Sequence, residues 1–129
     1  MIFLDSSYLK GLINADDSFH QKALSVSDFI DDLNEMTVIN TTVIVETLNW
    51  SVKTNTFANR IYDDLKEENR VIKLTHDDYL MSLEINCWYG NSINYSDCTI
   101  LNTMFSMGIN KIATFDADFE KVHALEIIS

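Results

Sequence analysis

Near its N-terminus the chain reads Ile2-Phe3-Leu4-Asp5-Ser6-Ser7-Tyr8-Leu9, a short apolar run followed at once by an acid. The apolar run has the length of a buried strand, and the residues after Asp5 continue with the spacing of a helix. The same arrangement recurs near the other end, where Asp116 follows the apolar stretch at positions 112–115. Short apolar runs that alternate with helical patterns are typical of βα units around a mostly parallel sheet. The pattern therefore predicts an α/β fold.

Such segments continue along the whole chain, which has no internal repeat and no proline. The predicted strands are Met1–Leu4, Met36–Ile39, Val71–Leu74, Lys111–Thr114 and Glu126–Ile128. The predicted helices are Ser6–Asn14, Ser18–Asn34, Thr41–Lys53, Asn55–Glu68, Thr75–Tyr89, Asn94–Met107 and a short turn of helix near Asp118–Val122. Gly90 and Gly108 follow two of these helices, where glycine commonly ends a helix. We predict one three-layer α/β domain over residues 1–129, with a mostly parallel sheet of about five strands.

The composition limits the possible function classes. Nine Lys plus Arg residues against twenty Asp plus Glu give a net charge of −11. Non-specific nucleic-acid binding usually rests on a basic surface, so this charge argues against a general nucleic-acid binder. No apolar run approaches the length of a bilayer span, and the N-terminal residues lack the basic start of a signal peptide. We therefore expect a cytoplasmic protein with no membrane partner.

The cysteines and the largest aromatic residues are expected in the core. Cys87 and Cys98 lack CxxC spacing and are too few for a disulfide framework, which favours buried, reduced thiols. Trp50, Trp88 and Phe105 are also expected to be buried. For Trp88, at a predicted helix end, a contact surface is the alternative.

Four acids recur near the starts of predicted helices, each interpreted as following a buried strand directly or after a few residues: Asp5, Glu46, Asp97 and Asp116. The carboxyl ends of parallel strands meet at one edge of a sheet, and ligands bind in the crevice there. Carboxylates gathered in one crevice repel each other, so a cation or a proton must hold them together. The sequence therefore predicts a metal site built from oxygen ligands.

Two of these acids have a simple structural interpretation. Asp5 and Asp116 each stand at the start of a predicted helix, where an Asp side chain can accept hydrogen bonds from free backbone N–H groups. Taken alone, each is better explained as a helix cap. The metal-site interpretation gains only from their occurring together with Glu46 and Asp97 on one edge of a sheet.

Asp97 and Glu46 are harder to explain as structural residues. Asn94 and Asp97 have the spacing of a capping box, but Asp97 also lies on the apolar stripe of its helix. Glu46 likewise falls on the buried side of its helix, and its structural alternative is an ion pair with a distant Lys or Arg. A carboxylate that faces a core is costly unless it is paired or bound to metal, which favours the functional interpretation for both.

Four short motifs around these acids resemble the PIN domain, and in particular the small toxin nucleases of VapBC toxin–antitoxin systems. The motifs are Leu4-Asp5-Ser6-Ser7, Val45-Glu46-Thr47-Leu48, Ser96-Asp97-Cys98-Thr99-Ile100 and Ala113-Thr114-Phe115-Asp116-Ala117-Asp118-Phe119. The last motif is similar to the T-x-D-x-x-F ending of that family and is the most specific. The similarity in length and element order covers the whole chain.

The resemblance implies a three-layer α/β/α fold and Mg²⁺- or Mn²⁺-dependent cleavage of RNA. It also implies a homodimer that is inhibited by a small antitoxin encoded nearby. Asp5 and Asp97 would bind the metal directly, while Glu46 and Asp116 would complete the cluster directly or through water. Ser7 or Thr114 would orient a carboxylate or a water, whereas Asp118 is expected to be a surface acid.

Two features depart from the family. Phe115 stands where a small polar residue is common, and basic residues are few, with Arg60 and Arg70 the only arginines. Lys10, Lys53 and Lys111 are the candidates for attracting RNA. The metal-dependent endoribonuclease toxin therefore has two rivals: a non-catalytic protein-interaction module that keeps the PIN-like fold, and a phosphoacceptor receiver domain. The receiver domain is disfavoured because its acids would have to stand where Leu4 and Thr75 stand.

Overall fold

A computed structural model describes residues 1–51 and 55–129. Predictions that fall on positions 52–54, including the role of Lys53, lie outside the described residues. In chain order the elements are β1 (Ile2–Leu4), α1 (Ser6–Ile13), α2 (His20–Leu33), β2 (Thr37–Asn40), α3 (Thr41–Ser51), α4 (Asn55–Glu68), β3 (Arg70–Ile72), α5 (His76–Trp88), α6 (Tyr95–Met107), β4 (Lys111–Ala113), a 3₁₀ turn (Ala117–Lys121) and β5 (Glu126–Ile128).

The five strands form one parallel sheet in the order β3-β2-β1-β4-β5. The chain moves from β1 outward through β2 to β3, then crosses to the other side of β1 and continues outward from β4 to β5. The direction of the connections thus reverses between β1 and β4. In open parallel sheets, the crevice beyond the carboxyl ends of such strands is the usual ligand site.

The helices form two packed groups. α1 packs against α2 and α3, and α3 packs against α4, while α5 packs mainly against α6. Connections between parallel strands are right-handed, so their direction along the sheet decides which face their helices cover. The helices α1–α4 lie in connections that run from β1 towards β3, whereas α5 and α6 lie in the connection that returns to β4, so the two groups cover opposite faces. The apolar side chains of β1, β2 and β4 are fully buried between the two groups. This arrangement confirms the predicted three-layer α/β/α fold.

Several predicted element ends have a clear local cause. Thr75 and Asp78 form a capping box at the start of α5, with the Asp78 N–H donating to Thr75 Oγ1 and the Thr75 N–H donating to the Asp78 carboxylate. Gly108 ends α6 in the left-handed region at φ 67°, which glycine adopts without strain. β3 ends two residues earlier than predicted, because the Leu74 N–H donates to Thr41 Oγ1 beyond the ladder.

The predicted burial of the large apolar residues is partly wrong. Cys98 is buried as expected and Trp50 is half-buried, but Cys87 is exposed, Trp88 is 84% exposed and Phe105 is 47% exposed. α5 carries apolar residues on all its sides, and only Ser82 on it is buried. Since no single stripe marks the inner face, the sequence does not show which side of α5 is left uncovered. None of the helices in the described ranges, 1–51 and 55–129, has both the length and the apolar character needed to cross a bilayer.

Candidate metal centre

The structure brings the four predicted acids to one cavity of about 330 Å³ at the carboxyl edge of the sheet. Asp5 follows β1 directly, and Asp116 lies three residues after β4. Glu46 is in the middle of α3, and Asp97 is in the first turn of α6. Two strands and two helices therefore each deliver one carboxylate to the reversal point of the sheet.

Asp5 is held by two hydroxyl groups. Ser7 Oγ and Thr114 Oγ1 each lie 2.7 Å from Asp5 Oδ2 and donate to it, and the two hydroxyls are 3.2 Å apart. The side chain of Asp5 makes no capping bond to α1, so the helix-cap interpretation is wrong for this residue. Because both donors meet the same oxygen, they fix the rotation of a carboxylate that is only 3% exposed.

Glu46 and Asp97 each have a buried carboxylate oxygen, Oε1 and Oδ2 respectively, with no hydrogen-bond partner among the described residues. Glu46 Oε2 accepts only a long bond, 3.5 Å, from Ser6 Oγ, and no salt bridge reaches Glu46 in the described part of the chain. The capping box at Asp97 does not form, since Asn94 makes no side-chain cap bond. Buried polar atoms normally have partners. These two oxygens are therefore suited to be ligand atoms of a bound cation.

Asp116 is a further acid of the cavity lining, and Asp118 lies close to it. Oxygens of Asp97, Asp116 and Asp118 lie within 4.8 Å of one another, close enough to share one cation. Asp116 Oδ1 also accepts a hydrogen bond from the backbone N–H of Asp118 at 2.9 Å. Unlike Asp5, Asp116 is therefore a helix cap in addition to being an acid of the cavity. Asp118 is half-buried and paired with Lys121 at 2.9 Å, and it belongs to the cluster more closely than predicted.

The electrostatics of the cluster favour a proton or a cation. Burial of the Asp97 side chain, reinforced by the charges of Asp5, Asp116, Glu46 and Asp118, raises the pKa of its carboxyl to about 8. Burial also raises the pKa of Glu46, again with a contribution from Asp5, while Lys10 and the Ser6 hydroxyl act in the opposite direction. The side chains available are all oxygen donors, which suit hard divalent ions such as Mg²⁺ and Mn²⁺.

Asn40 is a supporting residue that the sequence analysis missed. Its buried side-chain amide donates to Thr103 Oγ1 at 3.0 Å and to the Thr99 carbonyl oxygen, and its Oδ1 accepts from the Val43 N–H in the first turn of α3. It thereby joins α3, which carries Glu46, to α6, which carries Asp97. An Asn directly before a helix is a common cap, and that signal could have identified it.

A model of the PIN domain family matches residues 2–125 of this chain. The chain belongs to the PIN domain family. The protein is also 32% identical to ribonuclease VapC6 of Methanocaldococcus jannaschii, in an alignment that covers 98% of this chain and 95% of the relative.

Solved structures share the fold of this PIN domain. VapC20 of Mycobacterium tuberculosis, a toxin that cleaves the sarcin–ricin loop, superposes with a TM-score of 0.78 at 21% identity and 94% coverage of both chains. A toxin–antitoxin complex from Klebsiella pneumoniae gives a TM-score of 0.77 at 15% identity, with 100% and 97% coverage. VapBC2 of Rickettsia felis, bound to a DNA fragment from its promoter, gives 0.73 at 14% identity, with 98% and 97% coverage.

The predicted cationic residues have different positions in this PIN domain. Lys10, on α1, lines the acidic cavity. Lys111 is at the amino end of β4, on the opposite edge of the sheet, and its Nζ contacts Glu35 Oε2 at 2.5 Å. The prediction that Lys111 attracts RNA to the cleft is therefore wrong, because a strand's first residue cannot reach the edge at which the strand ends. Arg60 lines a separate groove between α1, α2 and α4.

Phe115, which departs from the common pattern of the family, has an aromatic partner. Its ring stacks on that of Phe19 with centroids 4.8 Å apart and an interplanar angle of 6°. Both rings line the cavity that contains the acids. The ring of Tyr8 lies 6.4 Å from Phe115 on the inner side, tilted by 54°.

Proposed function

We propose that this PIN domain is a divalent-metal-dependent endoribonuclease and the toxin of a toxin–antitoxin pair, with residues 1–129 acting as a single domain. The observation that carries the proposal is the pair of buried carboxylate oxygens, on Glu46 and Asp97, that face a cavity of acids without a partner. The 32% identity to ribonuclease VapC6 supports RNA as the substrate. Because an RNA substrate is available in the cytoplasm, we propose that the protein acts there.

The residues present fit a hard divalent cation, Mg²⁺ or Mn²⁺. Asp5, Glu46, Asp97 and Asp116 would hold it directly or through water, and Asp118 lies close enough to Asp97 and Asp116 to take part. Such an ion supplies Lewis-acid polarisation of a phosphoryl oxygen and an activated water at neutral pH.

The protein itself contributes position and charge. Ser7 and Thr114 fix the carboxylate of Asp5, and Asn40 fixes the helices that carry Glu46 and Asp97. Lys10 supplies a positive charge on the wall of the cavity, where it can attract a phosphodiester despite the net charge of −11.

Activity and its dependence on the acids test the proposed function. Purified protein should cleave RNA in Mn²⁺ or Mg²⁺ and not in EDTA. Asp5→Asn and Asp97→Asn should each abolish cleavage with an unchanged circular dichroism spectrum. Asp32→Asn, an exposed acid near the end of α2, is the matched control and should retain full activity. Cleavage that persists in EDTA, or in both site variants, would contradict the assignment.

We also propose that the protein is a homodimer through α5 and α6. Leu80, Leu83 and Trp88 on α5 and Phe105 on α6 are about half exposed or more, and Trp88 and Phe105 line one shallow cavity. Large exposed apolar side chains on two neighbouring, packed helices are typical of a protein interface. A twofold dimer would bury the patch of each subunit against its own copy.

The antitoxin has a separate candidate surface, a groove of about 580 Å³ between α1, α2 and α4. Its lining includes Tyr8, Leu12, Ile61 and the 59% exposed Phe57, with Arg60 and Asp64 among the polar residues. An apolar groove between helices suits one face of an amphipathic helix. We propose that a helix of the antitoxin binds there.

A further inference from the structure

Phe19 places one exposed aromatic face beside the acidic cavity. The residue stands at the start of α2 and its side chain is 40% exposed. Phe115 covers one face of the ring by parallel stacking, and no other aromatic ring among the residues that the structure describes stacks on Phe19. Lys22, one turn further along α2, is exposed, and its Nζ lies over the Phe19 ring, 5.8 Å from the centroid, so a base that stacks there takes the place of this flexible, solvent-exposed ammonium.

This position is held firmly by the surrounding backbone. The Phe19 N–H donates to Asp17 Oδ1 at 2.8 Å, and the Phe19 carbonyl accepts the first helical bond of α2, from the Ala23 N–H at 2.8 Å. Gly11 on α1 lies against both residues, since a Cβ there would be 3.4 Å from Phe115 Cε2 and 3.6 Å from Phe19 Cβ. A ring fixed in this way loses little conformational freedom when a ligand stacks on it.

Charge alone provides little affinity for RNA at this site. The protein has nine Lys and Arg residues and a net charge of −11. The cavity itself is lined by carboxylates, and Lys10 is the only basic residue among the described residues that line it. Few phosphate contacts release few counterions, so the ionic part of RNA binding is small. Stacking of a base on an aromatic ring is independent of charge, and it is the main non-ionic contact of single-stranded nucleic acid with proteins.

We propose that the exposed face of Phe19 is a stacking site for a nucleobase of single-stranded RNA, adjacent to the phosphate that enters the acidic cavity. The inference rests on the proposed ribonuclease function, since it names how that site recognises its substrate. Phe115 supports the Phe19 ring from its opposite face, which explains why a large aromatic residue directly precedes Asp116. Lys10, in the same cavity lining as Phe19, and Lys22, next to the Phe19 ring, contact the phosphates on either side of the stacked base.

The experiment compares two probes that differ only in their bases: a fluorescein-labelled oligoadenylate and an abasic ribose-phosphate chain of equal length. Binding is measured by fluorescence anisotropy in Ca²⁺, a hard cation that oxygen ligands also bind. We expect the wild-type protein to bind the oligoadenylate about tenfold more tightly than the abasic chain. Phe19→Leu should lose most of that difference while its affinity for the abasic chain stays unchanged, and Phe19→Trp should restore the difference.

Phe29→Leu is the matched control. Phe29 is also an exposed phenylalanine of α2, but it lines a different cavity. It should keep the full preference for the oligoadenylate. A preference that persists in Phe19→Leu, or equal or undetectable binding of both probes by the wild-type protein, overturns the stacking site. Cleavage in Mn²⁺ is scored separately. A wild-type protein that cleaves RNA normally but shows no preference for the oligoadenylate contradicts only this inference, whereas a wild-type protein that binds RNA but never cleaves it contradicts the ribonuclease function.

Discussion

The hydroxyl of Thr114 donates a 2.7 Å hydrogen bond to the carboxylate of Asp5, a residue 109 positions earlier in the chain. The same hydroxyl oxygen accepts from the Asp116 N–H at 3.0 Å. One side chain at the end of β4 thus sets the orientation of two acids of the candidate metal centre. The bond crosses the sheet exactly where the parallel ladder between β1 and β4 ends.

Removing this hydroxyl should impair cleavage more than it impairs folding. We expect Thr114→Val to lower kcat by about tenfold to a hundredfold, since groups that orient metal-binding carboxylates have effects of this size. Thr114→Ser retains the hydroxyl and should keep most of the activity. Cleavage rates at saturating Mn²⁺, with a thermal melt of each variant, give the comparison. A Thr114→Val enzyme as active as Thr114→Ser would show that the bond does not orient Asp5 for catalysis.

Neutralising Asp97 should stabilise the metal-free protein. Asp97 is 5% exposed and surrounded by other acids, so the folded protein must either hold a proton there or tolerate repulsion, and Asp97→Asn removes both costs while it keeps the side-chain shape. In EDTA the variant should melt at a higher temperature than the wild type. Mn²⁺ should raise the melting temperature of the wild type by mass action, and should do so much less for the variant. A less stable variant in EDTA, with no metal effect on the wild type, would leave the site without support.

The stability of the metal-free protein should fall as pH rises from about 4 to about 8. The pKa of Asp97 is about 8 in the folded state, against an ordinary value of 3.8. Between these values the folded protein holds a proton that the unfolded chain has lost, so unfolding becomes more favourable as pH rises. Glu46, with its pKa also raised by burial, adds to the same trend.

Urea titrations in EDTA across this range measure the trend. Asp97→Asn should reduce the slope, while Asp32→Asn, the exposed control, should leave it as in the wild type. A stability that rises steadily over the whole range in the wild type would contradict the protonated state of Asp97. The affinity for Mn²⁺ should increase with pH, because the metal displaces that proton.

The proposed dimer predicts a specific loss of assembly. Trp88→Ser should shift the protein from dimer to monomer in analytical ultracentrifugation, because it removes the largest exposed apolar side chain of the α5 surface. Phe29→Ser changes an exposed aromatic residue outside that surface and should remain dimeric. If the wild type sediments as a monomer at high concentration, the α5 surface has some other role.

The proposed antitoxin groove can be tested with the partner that the proposed function requires, a small antitoxin encoded nearby. Phe57→Ser should weaken the complex, since the 59% exposed ring of Phe57 forms part of the groove. Trp88→Ser, on the other surface, should leave the affinity for the antitoxin unchanged. Isothermal titration calorimetry of the two variants against the same antitoxin separates the surfaces, and equal weakening by both would argue against the groove.

The sequence predicted the elements well because their signals are local. Apolar runs gave the strands to within two residues, and the Thr75 capping box and Gly108 marked helix ends directly. The position of Lys111 was also readable, since a residue that begins a parallel strand is remote from the edge where the strands end. The direction of β4 alone therefore excludes Lys111 from the cleft.

Other features depend on tertiary packing and had no local signal. Trp88 and Phe105 were predicted to be buried, but whether an apolar helix face is covered depends on what packs against it. The pair of Phe19 and Phe115 joins residues 96 positions apart, and the approach of Asp118 to Asp97 and Asp116 follows from the 3₁₀ turn after β4. The metal-binding roles of Asp5, Glu46, Asp97 and Asp116 stay predictions that the variants above examine.

The central position of β1 in the sheet also determines when the candidate centre can exist. β1 pairs with β2 early in the chain, but Asp5 gains Thr114 and its neighbouring acids only after β4 has paired on the other side. Contacts of such long sequence separation form late in folding. A ribosome that has not yet translated β4 and Asp116 therefore carries a chain with no assembled acidic cluster, so the proposed nuclease cannot act on RNA before that part of the chain has been made.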